Sequence, residues 1–549
     1  MSADLPRLIA ELLVVRASGH LADHQRRYPR WELANGELQH LLAKGVGGVI
    51  LLGGSAAEVS LRSQQLRRWA GHELLLCADV EEGVGQRFEG ATWLVPPLAL
   101  GQLHRHDPER AIALAERYGR CTGRDARAIG LNWVLGPVCD VNNNPANPVI
   151  NVRAWGETPA SASALAAAFT RGVQAEGVLA CAKHFPGHGD TSSDSHLELP
   201  LISHSRERLD AVELPPFRAA IAEGVAAVMT AHLMLTALDR ERPATLSRAV
   251  LTGLLREELG FDGLIVTDAL VMEAIAGRYG AGEAAVLALE AGADLVLMPA
   301  DANAALDAIA AAVASGRLSQ AQLERSAERR RRALADVAAA QSHRANAIPS
   351  DGSLAGHAAE HAAEPDQALA LELVQATLQR QGPACERALQ PEGSAGVNLI
   401  RCDNVLAAPF LPLTAPAVEL PEARGYRTCL LEARSPSPWS GDLDAPLDLT
   451  RLPPGPVLLQ LFVRGNPFRG SAGANEPWPQ AIRQLRQVHR LAGVVVYGSP
   501  YLWESLQAEL IAEPALAAVY SPGQMPLAQA EALQRLGFGA NAAATGFTD

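Results

Sequence analysis

Eight short apolar runs, each followed by a stretch with helical periodicity, constrain this chain more than any other feature. They fall at residues 12–15, 47–52, 74–78, 131–135, 178–182, 226–230, 264–267 and 295–298. Runs without polar alternation read as strands buried on both faces, as in a parallel sheet covered by helices. Eight such units in succession predict an α/β fold built on a closed (β/α)8 barrel. The intervening helices carry start and stop signals. Asp107 before Pro108 suits an N-cap followed by N1, and Ser247 opens a segment that closes at Gly260 with Val250, Leu254 and Leu255 on one face. Ser319 precedes a long helix whose basic run, Arg329 to Arg332, reads as a solvated face.

The polar residues collect where the strands end: Arg16, Asp79, Lys183 with His184, His232 and Asp268. Barrel enzymes carry their chemistry at the C-terminal ends of the strands, so this distribution predicts an active site. Its richest part is Lys183-His184-Phe185-Pro186-Gly187-His188-Gly189-Asp190-Thr191-Ser192-Ser193-Asp194-Ser195-His196. Pro186, Gly187 and Gly189 break regular structure there, so a loop presents several titratable groups at one place. Placing a lysine, two aspartates and three histidines near one strand end is unfavourable unless they pair or bind something. One reading is a polar loop that satisfies backbone groups. A second is a metal cluster of His184, His188, His196, Asp190 and Asp194, all acceptable zinc-ligand types.

The chain has 549 residues, more than one hydrophobic core usually organises, which predicts two domains. We expect a barrel domain over 1–341, a linker over 342–364 where periodicity is lost, and a smaller α/β sandwich domain over 365–549. The last has strand-like runs at 397–400, 429–431, 457–461, 494–496 and 517–519, with helical stretches at 368–379 and 480–491. A net charge of −13 argues against a nucleic-acid or anionic-membrane partner. Seven cysteines without a CxxC pair read as reduced core residues. The N-terminal stretch is a poor signal peptide because Glu11 interrupts its apolar part, and no uncharged stretch reaches membrane-span length. The expectation is a soluble cytoplasmic monomer or homodimer.

The 183–196 stretch closely resembles the K-H-F-P-G-H-G-(x)4-D-S-H signature of family 3 glycoside hydrolases, in the β-N-acetylglucosaminidase branch. Residues 79–88 resemble that family's D-Q-E-G-G-R-V-Q-R-F segment, with Glu82 in place of a glycine and Val84 in place of an arginine. Residues 136–156 are similar to its A-P-V-x-D-(x)n-N-P-V-I-(x)2-R-x-F-G segment, 261–272 to its nucleophile strand, and 291–298 to its eighth strand. The resemblance implies Asp268 as nucleophile, His196 as acid and base oriented by Asp194, and Asp79, Arg87, Arg153, Lys183 and His184 as sugar-binding residues. Asp262 also lies in the nucleophile segment, but it precedes the strand and so belongs to the opposite end of a barrel.

What the resemblance implies is a retaining exo-β-N-acetylglucosaminidase that removes terminal N-acetylglucosamine from muropeptides in peptidoglycan recycling, with a carbohydrate substrate and no cofactor or catalytic metal. Its alternatives within the family are a β-glucosidase, which takes its acid from the second domain and lacks the D-x-H loop, and an N-acetylglucosaminide phosphorylase. A metal-dependent barrel hydrolase would need paired ligands after strand one, where this chain has Arg16-Ala17-Ser18-Gly19-His20. A sugar-binding protein without activity would have lost Asp268 or His196, and both are present.

Overall fold

The computed structural model describes residues 5–191, 199–347, 364–382, 395–402, 411–432, 435–442, 444–466, 470–471 and 476–538. The chain divides into two compact units, Met1–Trp93 with Leu100–Leu369, and Leu94–Ala99 with Ala370–Asp549.

In the first unit the eight apolar runs become β1 (Leu13–Ser18), β2 (Gly48–Leu52), β3 (Leu75–Ala78), β4 (Trp133–Val134), β5 (Cys181–Phe185), β6 (Ala227–Thr230), β7 (Leu264–Val266) and β8 (Val296–Leu297). All their pairings are parallel, in a five-stranded run β8-β1-β2-β3-β4 and a three-stranded run β5-β6-β7. Single bridges, Trp133 with Leu179 and Val266 with Leu295, join the runs into a closed barrel. Val14, Cys77, Cys181 and Val266 belong to one buried apolar cluster inside it. Side chains on a strand alternate faces, so two positions further along the same inward columns lie Arg16, Asp79, Lys183 and Asp268. The polar residues therefore crown a dry interior at the C-terminal mouth.

β5 differs from the expected run because it starts at Cys181 and includes Lys183 and His184 rather than stopping before them. Charged residues are admitted inside this strand because both meet buried acidic partners. Asp107 caps helix α1 (Pro108–Ala128), its carboxylate accepting from the Arg110 amide, as its residue type predicts. The Ser247 segment forms a wide helical stretch, Ala249–Glu258, and Ser247 Oγ accepts from the Val250 amide.

The long helix α2 (Gln320–Ala347) runs past Ser342, where the linker was expected to begin. Its basic run is a solvated face only in part, which corrects the sequence reading: Arg331 and Arg332 are exposed, while Arg329 is half-buried and Arg330 buried. Arg330 is buried and donates to the carbonyls of Gly47 and Glu73, just before β2 and β3. Arg329 pairs with Asp262 and Asp294, and Arg332 with Asp262, just before β7 and β8. Helical periodicity could not reveal this, because the acceptors are distant in sequence. Arg330→Ala should lower stability by about 2–3 kcal/mol, because the buried Gly47 carbonyl and the partly buried Glu73 carbonyl lose a charged donor. Thermal unfolding would register the loss while kcat and KM on an aryl glycoside stay unchanged, since these contacts lie at the floor of the barrel.

The second unit begins with helix α3 (Glu364–Thr377), whose first residues still cluster with the barrel unit. It continues with β9 (Gln379–Gln381), β10 (Gly396–Cys402), β11 (Tyr426–Leu431), β12 (Val457–Val463), β13 (Leu491–Gly498) and β14 (Ala518–Ser521). The sheet order is β9-β14-β13-β12-β10-β11, parallel except for β9 at the edge. This is a doubly wound arrangement of the flavodoxin type with one added antiparallel strand. Trp478, Ala481, Ile482 and Leu485 form the buried stripe of one covering helix, at the spacing a single helical face requires. Among the described residues Cys77, Cys121, Cys139, Cys181, Cys402 and Cys429 are free thiols. Cys385 lies outside the described residues.

Candidate active site

The mouth of the barrel is built on an ion-pair network that spans three segments. Lys183 Nζ lies 2.7 Å from Asp79 Oδ1 and 2.7 Å from Glu81 Oε1. Glu81 also accepts a two-pronged pair of hydrogen bonds from Arg153, with Nε at 2.7 Å from Oε2 and Nη2 at 2.8 Å from Oε1. Lys183 and Glu81 are buried. Burial alone would raise Glu81, but the charges of Arg153 and Lys183 hold its carboxyl well below the usual range. Burial works against the Lys183 and Arg153 cations too, and Asp79 with Glu81 for the lysine, and Glu81 for the arginine, hold them above their ordinary values. Asp79 remains the exposed end of the network, with 38% of its side chain accessible, so its second oxygen can face a substrate.

A second network holds the strand-five histidines. Asp140 is fully buried and accepts from His184 Nδ1 at 2.7 Å, from the His184 amide at 3.2 Å and from the His188 amide at 2.7 Å. With Nδ1 donating to the carboxylate, Nε2 of His184 is left as the ring atom available to a ligand. His188 is buried and rests Nδ1 on Thr191 Oγ1 at 2.8 Å, and burial pulls its pKa down to about 4. Asn147 joins the loops that carry Arg153 and His188, since its Nδ2 donates to the carbonyls of His188 and Gly189. Gly189 passes so close to Val141 that a Cβ would sit 1.7 Å from its carbonyl oxygen, so only glycine fits.

Asp268 follows β7 at the top of its inward column. Its amide donates to Thr230 Oγ1 at 3.3 Å, and its Oδ1 accepts from the Ala269 amide at 2.7 Å, which orients the carboxylate. Buried His232 lies 3.0 Å from the Ala269 carbonyl through Nε2 and supports this turn. The Asp268 charge acts on both Cys181 and His188, which places it over the same interior as Lys183. Asp262, at the other end of β7, is exposed and paired with Arg329 and Arg332.

Of the residues expected at the site, Asp79, Arg153 and Lys183 share one network, His184 sits beside them in β5, and Arg87 donates through Nε to the Asp79 carbonyl at 3.0 Å. Asp194 and His196 lie outside the described residues. Among the described residues of this loop, no three metal-ligand atoms converge. Glu81 and Asp140 went unassigned in the sequence although both lie in the segments read there. Alternation was the available signal for Glu81, because it sits two residues beyond Asp79. Glu82 and Val84, the departures from the family pattern, are buried, and Glu82 accepts from Trp93 Nε1 at 3.1 Å.

The chain is 35% identical over 286 residues to β-hexosaminidase A of Pseudoalteromonas piscicida, covering 48% of this chain and 47% of the relative. It is 34% identical over 331 residues to a β-N-acetylglucosaminidase/β-glucosidase of Cellulomonas fimi, covering 58% of this chain and 56% of that one. The match thus spans about half the length of these two relatives. Among solved structures, a family 3 β-N-acetylglucosaminidase from Paenibacillus sp. str. FPU-7 superposes with a TM-score of 0.72 and 29% identity, covering 98% of both chains. Residues 6–333 match the model of the glycosyl hydrolase family 3 N-terminal domain, and residues 390–538 match that of the bacterial glycosyl hydrolase family 3 C-terminal domain. With residues 6–333 and 390–538 matched by these two models in order, the chain belongs to glycosyl hydrolase family 3.

Proposed function

We propose that this protein is a retaining exo-β-N-acetylglucosaminidase that releases terminal N-acetylglucosamine from muropeptides or short glycans in the cytoplasm. The observation that carries the reading is the set of fixed donors and acceptors, Asp79, Arg153, Lys183 and His184, gathered at the mouth that Asp268 also crowns. Such a set binds sugar hydroxyls without reorganisation. Asp268 attacks the anomeric carbon and forms a glycosyl ester, while the leaving oxygen takes a proton from His196. Water, deprotonated by the same imidazole, then releases the sugar with retained configuration. An imidazole titrates near ~6.5 and serves as acid and base near neutrality, with Asp194 orienting it. The muropeptide substrate rests on the family resemblance.

Purified protein should cleave an aryl β-N-acetylglucosaminide at least roughly tenfold faster than the aryl β-glucoside, and preference for the glucoside would overturn the reading. The same assay with millimolar phosphate should yield free N-acetylglucosamine. Dominance of N-acetylglucosamine 1-phosphate would identify a phosphorylase, since an imidazole base does not repel an anionic acceptor as a carboxylate would. His196→Ala should lose on the order of 10²–10⁴ in rate on natural glycosides, and far less on aryl substrates whose leaving groups need little protonation. Equal loss on both would remove His196 from the acid role.

A further inference from the structure

Away from the sugar site, the barrel unit gathers a second cluster of ligating side chains. Cys121 and Asp125 lie one turn apart on α1 and share a face, and Asp366 joins them from the first turn of α3. One ligand atom from each lies within 4.8 Å of the others. The three residues are 1%, 5% and 1% exposed. Asp125 accepts from the Thr92 amide at 3.0 Å through Oδ2, but its Oδ1 has no hydrogen-bond partner. Arg124 forms an ion pair with Asp366 Oδ1, yet both Asp366 oxygens lack a hydrogen bond, as does the Arg124 Nε. Asp125 Oδ1 and Asp366 Oδ2 are thus buried acceptors without a partner beside one another, which native interiors seldom leave.

We propose that Cys121, Asp125 and Asp366 hold a divalent cation of the zinc class, which fastens the start of α3 to α1. Sulfur beside two carboxylates suits zinc or cobalt and does not suit calcium or magnesium, which take oxygen ligands. Zinc holds sulfur at about 2.3 Å and oxygen at about 2.0–2.2 Å, so tetrahedral ligands sit about 3.5 Å apart. Atoms within 4.8 Å of one another approach that spacing, and in the proposed site a water completes the set. Without a cation, the Asp366 carboxylate faces Arg124. Burial pushes the Cys121 thiol up to about 12 and also raises Asp125, and a bound cation favours the deprotonated form of both. Arg124 competes with the cation for Asp366.

The test is titration of the full-length protein with Co²⁺, read by the thiolate-to-cobalt absorption band, together with thermal unfolding in Zn²⁺. Wild type should bind one cobalt per chain with the thiolate band, and zinc should raise its Tm. Cys121→Ser should lose the band and the zinc shift, and Asp366→Asn should bind at least tenfold more weakly. Arg124→Gln should bind more tightly, a gain that misfolding cannot imitate. A band of unchanged strength in Cys121→Ser, no band in wild type, or equal or weaker binding by Arg124→Gln would overturn the proposal.

Discussion

Asp268→Ala should remove turnover by on the order of 10⁴-fold or more on every glycoside, while leaving the unfolding transition close to that of wild type. The large loss is expected because a cleavage passing through an oxocarbenium-like state depends on an anion that stabilises the positive charge and then traps it. The small change in stability is expected because the side chain is partly exposed at the mouth and its Oδ1 accepts from the adjacent Ala269 amide. A 2-fluoro sugar bearing a good leaving group should accumulate as an ester on the peptide that contains Asp268, read by mass spectrometry. Label on Asp262 or Glu273 would displace Asp268 from the nucleophile role. Asp262 starts at a disadvantage, since it is exposed at the floor of the barrel and shared between Arg329 and Arg332.

Glu81→Gln should damage both stability and binding, because it leaves Lys183 and Arg153 buried together with one carboxylate fewer between them. Breaking a buried ion pair by removing one partner costs about 3–5 kcal/mol, or roughly 4–7 °C in Tm for a unit of this size. The cations no longer hold their positions, so KM on the aryl substrate should rise along with any fall in kcat. The pH dependence should change as well. The Glu81 carboxyl titrates lower in the folded protein than the ordinary value of about 4.3, so its stabilisation is complete above that value and is lost as pH falls through the folded-state value. The wild type should therefore lose this stability in acid, and Glu81→Gln should show a flatter acid limb. Unchanged Tm and KM in Glu81→Gln would mean that Asp79 alone holds both cations.

Patterns of short range were legible in the chain. Continuous apolar runs specify strands buried on both faces, and their alternation with helices specifies the barrel, because both depend on residues within a few positions of each other. The site's location followed from the same pattern, since inward columns that end in Arg16, Asp79, Lys183 and Asp268 place polar groups at one mouth. The motif stretches added roles for Arg153 and His184 that alternation alone does not assign.

Pairing across the chain was decided only by the tertiary structure. Glu81 meets Arg153 from 72 residues away, Lys183 meets Asp79 from 104, and Arg330 reaches the Gly47 carbonyl from 283. In each case a buried charge stays charged because an opposite charge or a carbonyl is carried to it by the fold. Sequence determines which residues can be charged and which face of an element they occupy. Whether water or a partner compensates that charge depends on what the closed barrel places opposite it.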